Sequence, residues 1–211
     1  MKKKLTFMIS MIFMACFLTS CKDPVREIVA TSGDGIKYIT PTPTVPPESE
    51  GIYTSLSECE NVEVKLLITN YYSALANKDT DSLKACLSEP SLYSESNYST
   101  LADATKIRVK KIYLIDGVAP LDYVAYVYNE VYIDGVETPV PSLEELFITS
   151  VNGSYYVESG TVSADTYNSV VEIINANDGV DQLINSVNLL FNEAISSDAD
   201  LKAYADAHKE A

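Results

Sequence analysis

The spacing of hydrophobic residues changes twice along this chain, and this constrains the fold more than any other feature. Over residues 58–77 apolar side chains recur at helical spacing, which is typical of an amphipathic helix. Over residues 106–158 they alternate as in β-strands, and beyond residue 163 the helical spacing returns. Strands between two groups of helices predict an α+β fold with an antiparallel sheet.

Turn signals divide the central block into about four strands. Asp134-Gly135 and Asn152-Gly153 are pairs that favour tight hairpin turns, because both residue types adopt positive φ readily. Consecutive strands joined by short turns predict an antiparallel meander. The predicted strands cover residues 106–115, 121–133, 143–151 and 155–158.

Two helices are predicted before the sheet. Ser57 and Glu60 have the spacing of a capping box at the start of the first helix. Asp79 or Asp81 is the expected N-cap of a shorter second helix, which Pro90 ends.

The chain is expected to form one folded domain. Its apolar content is 46%, and no segment of the sequence repeats at the period of a solenoid. We assign the domain to residues 57–211, with N-terminal helices packed on a curved sheet, a cone-like core at 57–160 and additional C-terminal helices at 161–211.

The first twenty residues resemble a bacterial export signal. Three lysines, Lys2 to Lys4, precede a mostly apolar run at residues 5–18. As a helix this run would cover roughly 20 Å, less than the ~30 Å hydrocarbon core of a bilayer. We therefore expect residues 1–20 to be a removed signal peptide rather than a membrane span.

The residues at the end of this leader, Leu18-Thr19-Ser20-Cys21, resemble the lipobox of bacterial lipoproteins. The resemblance implies cleavage before Cys21 and lipid on its thiol, which would anchor the chain to the extracytoplasmic side of a bacterial membrane, in the cell envelope. A diacylglyceryl group carries the two acyl chains that durable anchoring requires. The alternative is an ordinary secretory signal followed by an unrelated cysteine.

Residues 21–56 are predicted to be a flexible tether behind the lipidated cysteine. Their centre, residues 40–47, consists of proline, threonine and one valine, which favours extended polyproline II geometry. Such a segment would hold the domain away from the membrane.

The charge of the chain excludes one class of partner. Without the first twenty residues, which contain three lysines and no acids, 12 basic and 30 acidic side chains remain, a net charge of about −18. This surface repels phosphate groups, so we predict no binding to nucleic acid.

Residues 67–83, with the sequence LITNYYSALANKDTDSL, resemble the opening helices of the nuclear-transport-factor-like, or cystatin-like, superfamily. The resemblance covers residues 58–160 and implies a long helix wrapped by a curved sheet, with a pocket between them. It also implies a homodimer paired through the open sheet face. The helices after residue 160 depart from the pattern of many relatives, and would close the cone as part of the core or dock a partner.

The second predicted strand carries the candidate pocket. Tyr126, Tyr128 and Glu130 share one face of this strand because alternate residues of a strand point the same way. If that face lines the cone, these side chains would join Tyr71 or Tyr72 of the first helix in an amphipathic pocket. In the other interpretation the tyrosines are half-buried residues that pack under the helices.

Two cysteines remain in the folded domain after Cys16 leaves with the signal and Cys21 is lipidated. Cys59 lies at the start of the first helix and Cys86 near the end of the second. In an oxidising compartment a disulfide between them is one outcome, and two buried free thiols are the other.

Catalytic and metal-binding patterns are scarce, and we expect no cofactor. The one histidine, His208, lies near the C-terminus, where it is poorly placed to activate a nucleophile. The acidic pairs Asp79-Thr80-Asp81 and Asp198-Ala199-Asp200 lack the glycine and glutamate of a calcium loop, and helix capping explains both. We predict no metal site and no catalytic residue.

These observations favour a membrane-anchored extracytoplasmic lipoprotein that binds a protein, peptide or small molecule without catalysis. The alternative comes from the resemblance to SnoaL-like enzymes, which implies an isomerase or hydrolase. Its general base would be a pocket carboxylate such as Glu130, with a tyrosine as proton donor.

Overall fold

The computed structural model describes residues 52–94, 103–118 and 121–207. Cys21, His208 and residues 1–51 lie outside the described residues, and with them the predicted signal peptide, lipidation site and most of the tether. The regular elements in chain order are α1 (Val62–Asn77), α2 (Thr80–Ala85), β1 (Ala104–Asp116), β2 (Leu121–Ile133), β3 (Val140–Val151), β4 (Ser154–Val157), α3 (Ala164–Asn175), α4 (Asp178–Ser197) and α5 (Ala199–Ala207).

The four strands form one curled antiparallel sheet in the order β1-β2-β3-β4, with helices on both sides. The β2–β3 connection contains Gly135 at a φ of 77°, and the β3–β4 turn contains Asn152 and Gly153 at 53° and 83°. Both turns lie where the Asp-Gly and Asn-Gly pairs predict them. The predicted α+β fold is therefore confirmed.

The sheet has two buried faces, because helices cover it from both sides. On the inner face, Ala125 and Val127 of β2 belong to the same core as Ile68 of α1. On the outer face, Val124 belongs to a second core with Leu183 of α4. Consecutive residues of β2 thus enter different cores, as strand alternation requires.

The C-terminal helices are part of the folded core. α4 begins in the outer core with Val180 and ends in the inner core with Ala194, and Leu201 of α5 is only 1% exposed there. Asp198, between the two helices, accepts hydrogen bonds from the backbone N–H of Leu201 at 3.0 Å and of Thr138 at 3.0 Å. This carboxylate joins α5 to the β2–β3 connection.

The first helix begins later than its capping-box pattern predicts. Asn61 is the N-cap, and its side chain accepts hydrogen bonds from the N–H groups of Glu63 and Val64. The residues before it lie against β1 instead: Cys59 N–H donates to the carbonyl of Ile112 at 2.7 Å. These backbone groups therefore cover part of the edge strand rather than continuing the helix.

Residues 52–56, which the sequence assigns to the tether, lie along α4. The N–H of Tyr53 donates to the hydroxyl of Ser186 at 3.2 Å, and that hydroxyl donates to the carbonyl of Tyr53 at 2.8 Å. A Cβ at Gly179 would lie 2.7 Å from Oγ of Ser55, so the close approach depends on this glycine. Within the described part of the chain, no helix has the length and apolar character of a membrane span.

Candidate functional site

The structure does not bring together the five residues predicted to form a pocket. Tyr71 and Tyr72 belong to the inner core, whereas Tyr126 belongs to the outer core, with Tyr128 packed against it. The reason is that α1 packs on the face of β2 with small and β-branched side chains. The tyrosine face of β2 is directed toward α3 and α4.

Glu130 is an ion-paired residue on the outer side of the sheet. It lies 2.8 Å from Nζ of Lys110 and 3.6 Å from Nη1 of Arg108, and it accepts a hydrogen bond from the hydroxyl of Tyr132 at 3.1 Å. Glu130 therefore does not have the environment expected of a general base in a pocket, because it has two cationic partners and lies on the face of the sheet opposite α1.

The buried carboxylate of the inner face is Glu144 of β3, which the sequence analysis did not select. The hydroxyl of Tyr72 donates a hydrogen bond to Oε2 of Glu144 at 2.8 Å. Val127 of β2 lies opposite Glu144, and Asn129 lies two residues further along the same face. Tyr72, Glu144 and Asn129 form what we call the inner polar cluster.

Burial sets the protonation of this cluster. Removal from water raises the pKa of Glu144 from its ordinary 4.5 to about 7, although the hydrogen bond from Tyr72 acts in the opposite direction. Burial, followed by the neighbouring Glu144 charge, raises the pKa of Tyr72 well above its usual range. Among the described residues, Glu144 is the one aspartate, glutamate, lysine, arginine or histidine whose side chain is buried.

The amide of Asn129 is the least satisfied group of the cluster. Its side chain is fully buried, and among the described residues neither the amide nitrogen nor the amide oxygen has a partner in hydrogen-bonding geometry. It lies close enough to Tyr72 to lower the pKa of that hydroxyl slightly. An unpaired buried amide costs about 1–3 kcal/mol.

A signal for Glu144 is present in the sequence. Glu144 and Glu145 are consecutive residues of a strand, and consecutive side chains point to opposite faces. Because both faces of this sheet are covered by helices, one of the two glutamates must enter the inner core. Strand alternation alone does not indicate which face α1 covers and which face α4 covers.

An open groove lies on the outer side of α1, and we call it the α1–α2 groove. It has a volume of about 650 Å³ between α1, α2 and the β3–β4 turn. Leu66, which is 59% exposed, contributes an apolar rim. The lining residues are Glu63, Leu66, Leu67, Asn70, Ser73, Ala74, Asn77, Asp79, Ser82, Ala85, Cys86, Gly153, Ser154 and Tyr155.

Helix α1 belongs to both the groove and the inner polar cluster. Asn70 and Ser73 line the groove, while Tyr71 and Tyr72 between them are directed into the inner core. This arrangement follows from helix geometry, which places successive residues about 100° apart around the axis. A change in how α1 sits on the sheet would therefore change the groove.

Cys59 and Cys86 are both buried and free in the structure. The thiol of Cys59 hydrogen-bonds the carbonyl of Asn61 at 3.4 Å, and the thiol of Cys86 hydrogen-bonds the carbonyl of Ser82 at 3.4 Å. Burial raises the pKa of both thiols, which favours the protonated and less reactive form.

The acidic pairs act as helix caps, as predicted. Asp79 accepts a hydrogen bond from Ser82 N–H at 3.1 Å at the start of α2, and Asp198 caps α5. These hydrogen bonds hold the pKa of both carboxyls below the usual range, to about 2 for Asp198. Within residues 52–94, 103–118 and 121–207, no group of three or more histidine, cysteine, aspartate or glutamate side chains is placed to hold a metal ion.

No protein-family model, curated protein or solved structure matches this chain. The candidate sites are therefore defined by their own geometry: the α1–α2 groove and the inner polar cluster behind it.

Proposed function

We propose that this protein is a lipid-anchored, extracytoplasmic binding protein, and that a peptide or small molecule occupies the α1–α2 groove. The observation that carries the proposal is the groove itself, in which the exposed Leu66 lies beside the hydrogen-bonding side chains of Asn70 and Ser73. The lining combines apolar side chains with hydrogen-bonding side chains, the two kinds of group that fix a ligand in a site.

The charge of the groove favours neutral or cationic ligands. Glu63 and Asp79 contribute carboxylates, and its described lining contains no lysine, arginine or histidine. The whole chain has a net charge of −15, which also attracts cations. Short peptides that combine an apolar side chain with a lysine or an amino terminus fit this chemistry.

A ligand screen with a matched control variant tests the groove. We expect some members of a library of short neutral and cationic peptides to raise the melting temperature of the protein. Leu66→Asp should abolish the shift, whereas Leu189→Asp should leave it intact, because Leu189 is an equally exposed leucine on α4 outside the groove lining. Shifts that survive in the Leu66 variant, or no shift with any peptide, would contradict the proposal.

The anchor is tested separately by mass spectrometry of protein isolated from bacterial membranes. We expect a chain that begins at Cys21 and carries diacylglycerol on the thiol, because a short apolar leader and a lipobox-like sequence precede that residue. Cys21→Ser should release the protein from the membrane fraction. An intact Met1, or an unmodified thiol at Cys21, would contradict membrane anchoring.

Glu144 favours a second candidate function, a hydrolase or isomerase in which this residue replaces Glu130 as the general base. A buried carboxylate with a pKa of about 7 beside a tyrosine hydroxyl is suited to proton transfer at neutral pH. Such a base must be reachable by substrate. Water-soluble carbodiimide with an amine should then label Glu144 in the folded protein, with the exposed Glu145 as internal reference, and labelling confined to Glu145 would exclude this function.

A further inference from the structure

Glu144 and Tyr72 form a polar connection between α1 and the sheet inside an apolar core. Their hydrogen bond joins residues that are 72 positions apart in the chain. Val64 and Ile68, two other residues of α1 in the inner core, contribute apolar side chains to it. The docking of α1 thus includes one contact whose strength depends on protonation.

The surroundings of Glu144 offer little stabilisation to a negative charge. From α1, Tyr71 and Tyr72 face the inner core; from β2, the uncharged Asn129 does. The contributions of β1, α4 and α5 to this core are apolar, and they include Ile107, Val109, Phe191, Ala194, Ile195 and Leu201. Its other titratable members are Cys59, Cys86, Tyr93, Tyr123 and Tyr155, and none of these is a cationic side chain.

No described salt bridge reaches Glu144. Among the described residues, the ionised form therefore has the Tyr72 hydroxyl as its hydrogen-bond donor and no compensating cation. The protonated form is neutral and keeps the same contact. Burial penalises the charged form far more than the neutral one.

We propose that Glu144 is a pH-sensitive latch: its protonated form holds α1 on the sheet, and its ionisation loosens α1 and reshapes the α1–α2 groove. The importance of the α1–α2 groove in this proposal rests on the proposed function. The pH response of α1 does not depend on that function. An exported protein meets the pH of its surroundings directly, so such a latch would make binding respond to acidity.

The sign follows from the direction of the shift. The folded state holds its proton on Glu144 up to a pKa of about 7, whereas the unfolded chain releases it near the ordinary value of 4.5. The stabilisation is therefore fully present below about pH 4.5, declines as pH rises, and is lost above pH 7. Within the native state, the change in α1 has its midpoint near pH 7.

Urea unfolding of the full chain between pH 5 and pH 8 tests the latch. For the natural sequence, we expect the folding equilibrium constant to fall by roughly seventyfold more than for Glu144→Gln. Glutamine keeps an acceptor for Tyr72 and cannot titrate. Glu145→Gln is the matched control, because Glu145 pairs with Tyr126 on the opposite face and is exposed.

A local readout separates loosening of α1 from a general loss of stability. The chain contains no tryptophan, so Leu66→Trp places one fluorophore on the groove side of α1. We expect its emission to change with a midpoint near pH 7, and to stay constant when Glu144→Gln is added. If Glu144→Gln fails to fold, Tyr72→Phe serves instead, since loss of its hydrogen bond should move the midpoint upward.

The latch would be overturned if the stability of the natural and Glu144→Gln proteins depended equally on pH. It would also be overturned if the pH dependence of the tryptophan emission were the same with and without Glu144→Gln. Neither measurement uses a ligand. A failed peptide screen would thus remove the binding function and leave the latch intact, whereas flat pH profiles would remove the latch and leave the binding function intact.

Discussion

Glu144 and Glu145, two consecutive residues of strand β3, each accept a hydrogen bond from a tyrosine, and they do so on opposite faces of the sheet. Tyr72 donates to Glu144 on the inner face at 2.8 Å, and Tyr126 donates to Glu145 on the outer face at 2.7 Å. The bond lengths and chemical groups are nearly the same. Glu144 is buried, however, whereas Glu145 is exposed.

Because the two hydrogen bonds are alike, we attribute the difference between the two carboxyl groups to the deeper burial of Glu144. Desolvation is the main cause that raises the pKa of both glutamates, and it brings Glu144 to about 7. Glu145 keeps contact with water, which screens its charge. The inner pair is therefore expected to respond to pH and mutation much more strongly than the outer pair.

The largest effect should come from Tyr72→Ala. The change removes a fully buried aromatic ring and also the recorded donor to Glu144, so we expect the free energy of unfolding to fall by about 4 kcal/mol. Tyr126→Ala should cost about 3 kcal/mol, because Glu145 can turn to water. Chemical denaturation at pH 7 measures both, and a smaller loss for Tyr72→Ala than for Tyr126→Ala would break the comparison.

Glu144→Gln should stabilise the protein at pH 8. The natural side chain is then ionised in a buried site, so its replacement should raise the free energy of unfolding by roughly 2–3 kcal/mol. At pH 4 both forms are neutral, and the two proteins should be similar in stability. Denaturation curves at the two pH values measure the difference, and a variant that is less stable at pH 8 would contradict the assignment.

Tyr72→Phe isolates the hydrogen bond, since the ring is kept. We expect it to lower the free energy of unfolding by about 2 kcal/mol at pH 8, because a buried carboxylate loses its donor. Tyr126→Phe should cost less than about 1 kcal/mol. Thermal unfolding of the two variants side by side gives the ratio, and equal losses would show that burial does not distinguish the pairs.

Glu145→Gln should have the smallest effect. The side chain is exposed and glutamine still accepts the hydrogen bond from Tyr126, so we expect a change within about 0.5 kcal/mol. Titration of stability between pH 5 and pH 8 should give nearly the natural slope. If the stability of Glu145→Gln depended on pH as little as that of Glu144→Gln, the pH response could not be attributed to Glu144 alone.

Much of the fold follows from local patterns. The hairpin turns at Gly135 and Gly153 lie where the turn pairs predict them, because these positions need positive φ. The start of α1 did not follow its pattern. The N-cap is Asn61 rather than Ser57, because the backbone around Cys59 hydrogen-bonds to β1 and does not continue the helix.

The candidate site was less predictable than the fold. Alternation groups Tyr126, Tyr128 and Glu130 on one face correctly, but it does not say which helix covers that face. Both faces of β2 are largely apolar, so the pattern is compatible with either assignment. The same reason applies to Glu144. Strand alternation places it on the opposite face from Glu145 but does not indicate which of the two faces is the inner one.

The sequence by itself determined the order of helices and strands, the turns between them and the acidic charge, because these depend on neighbouring residues and composition. Only the tertiary structure decided that α1 covers the inner face, that α4 and α5 complete two cores, and that Glu144 meets Tyr72 across 72 residues of chain. The physical reason is that desolvation and hydrogen bonding depend on distance in space. Removal from water by the fold moves the pKa of Glu144 from its ordinary 4.5 to about 7.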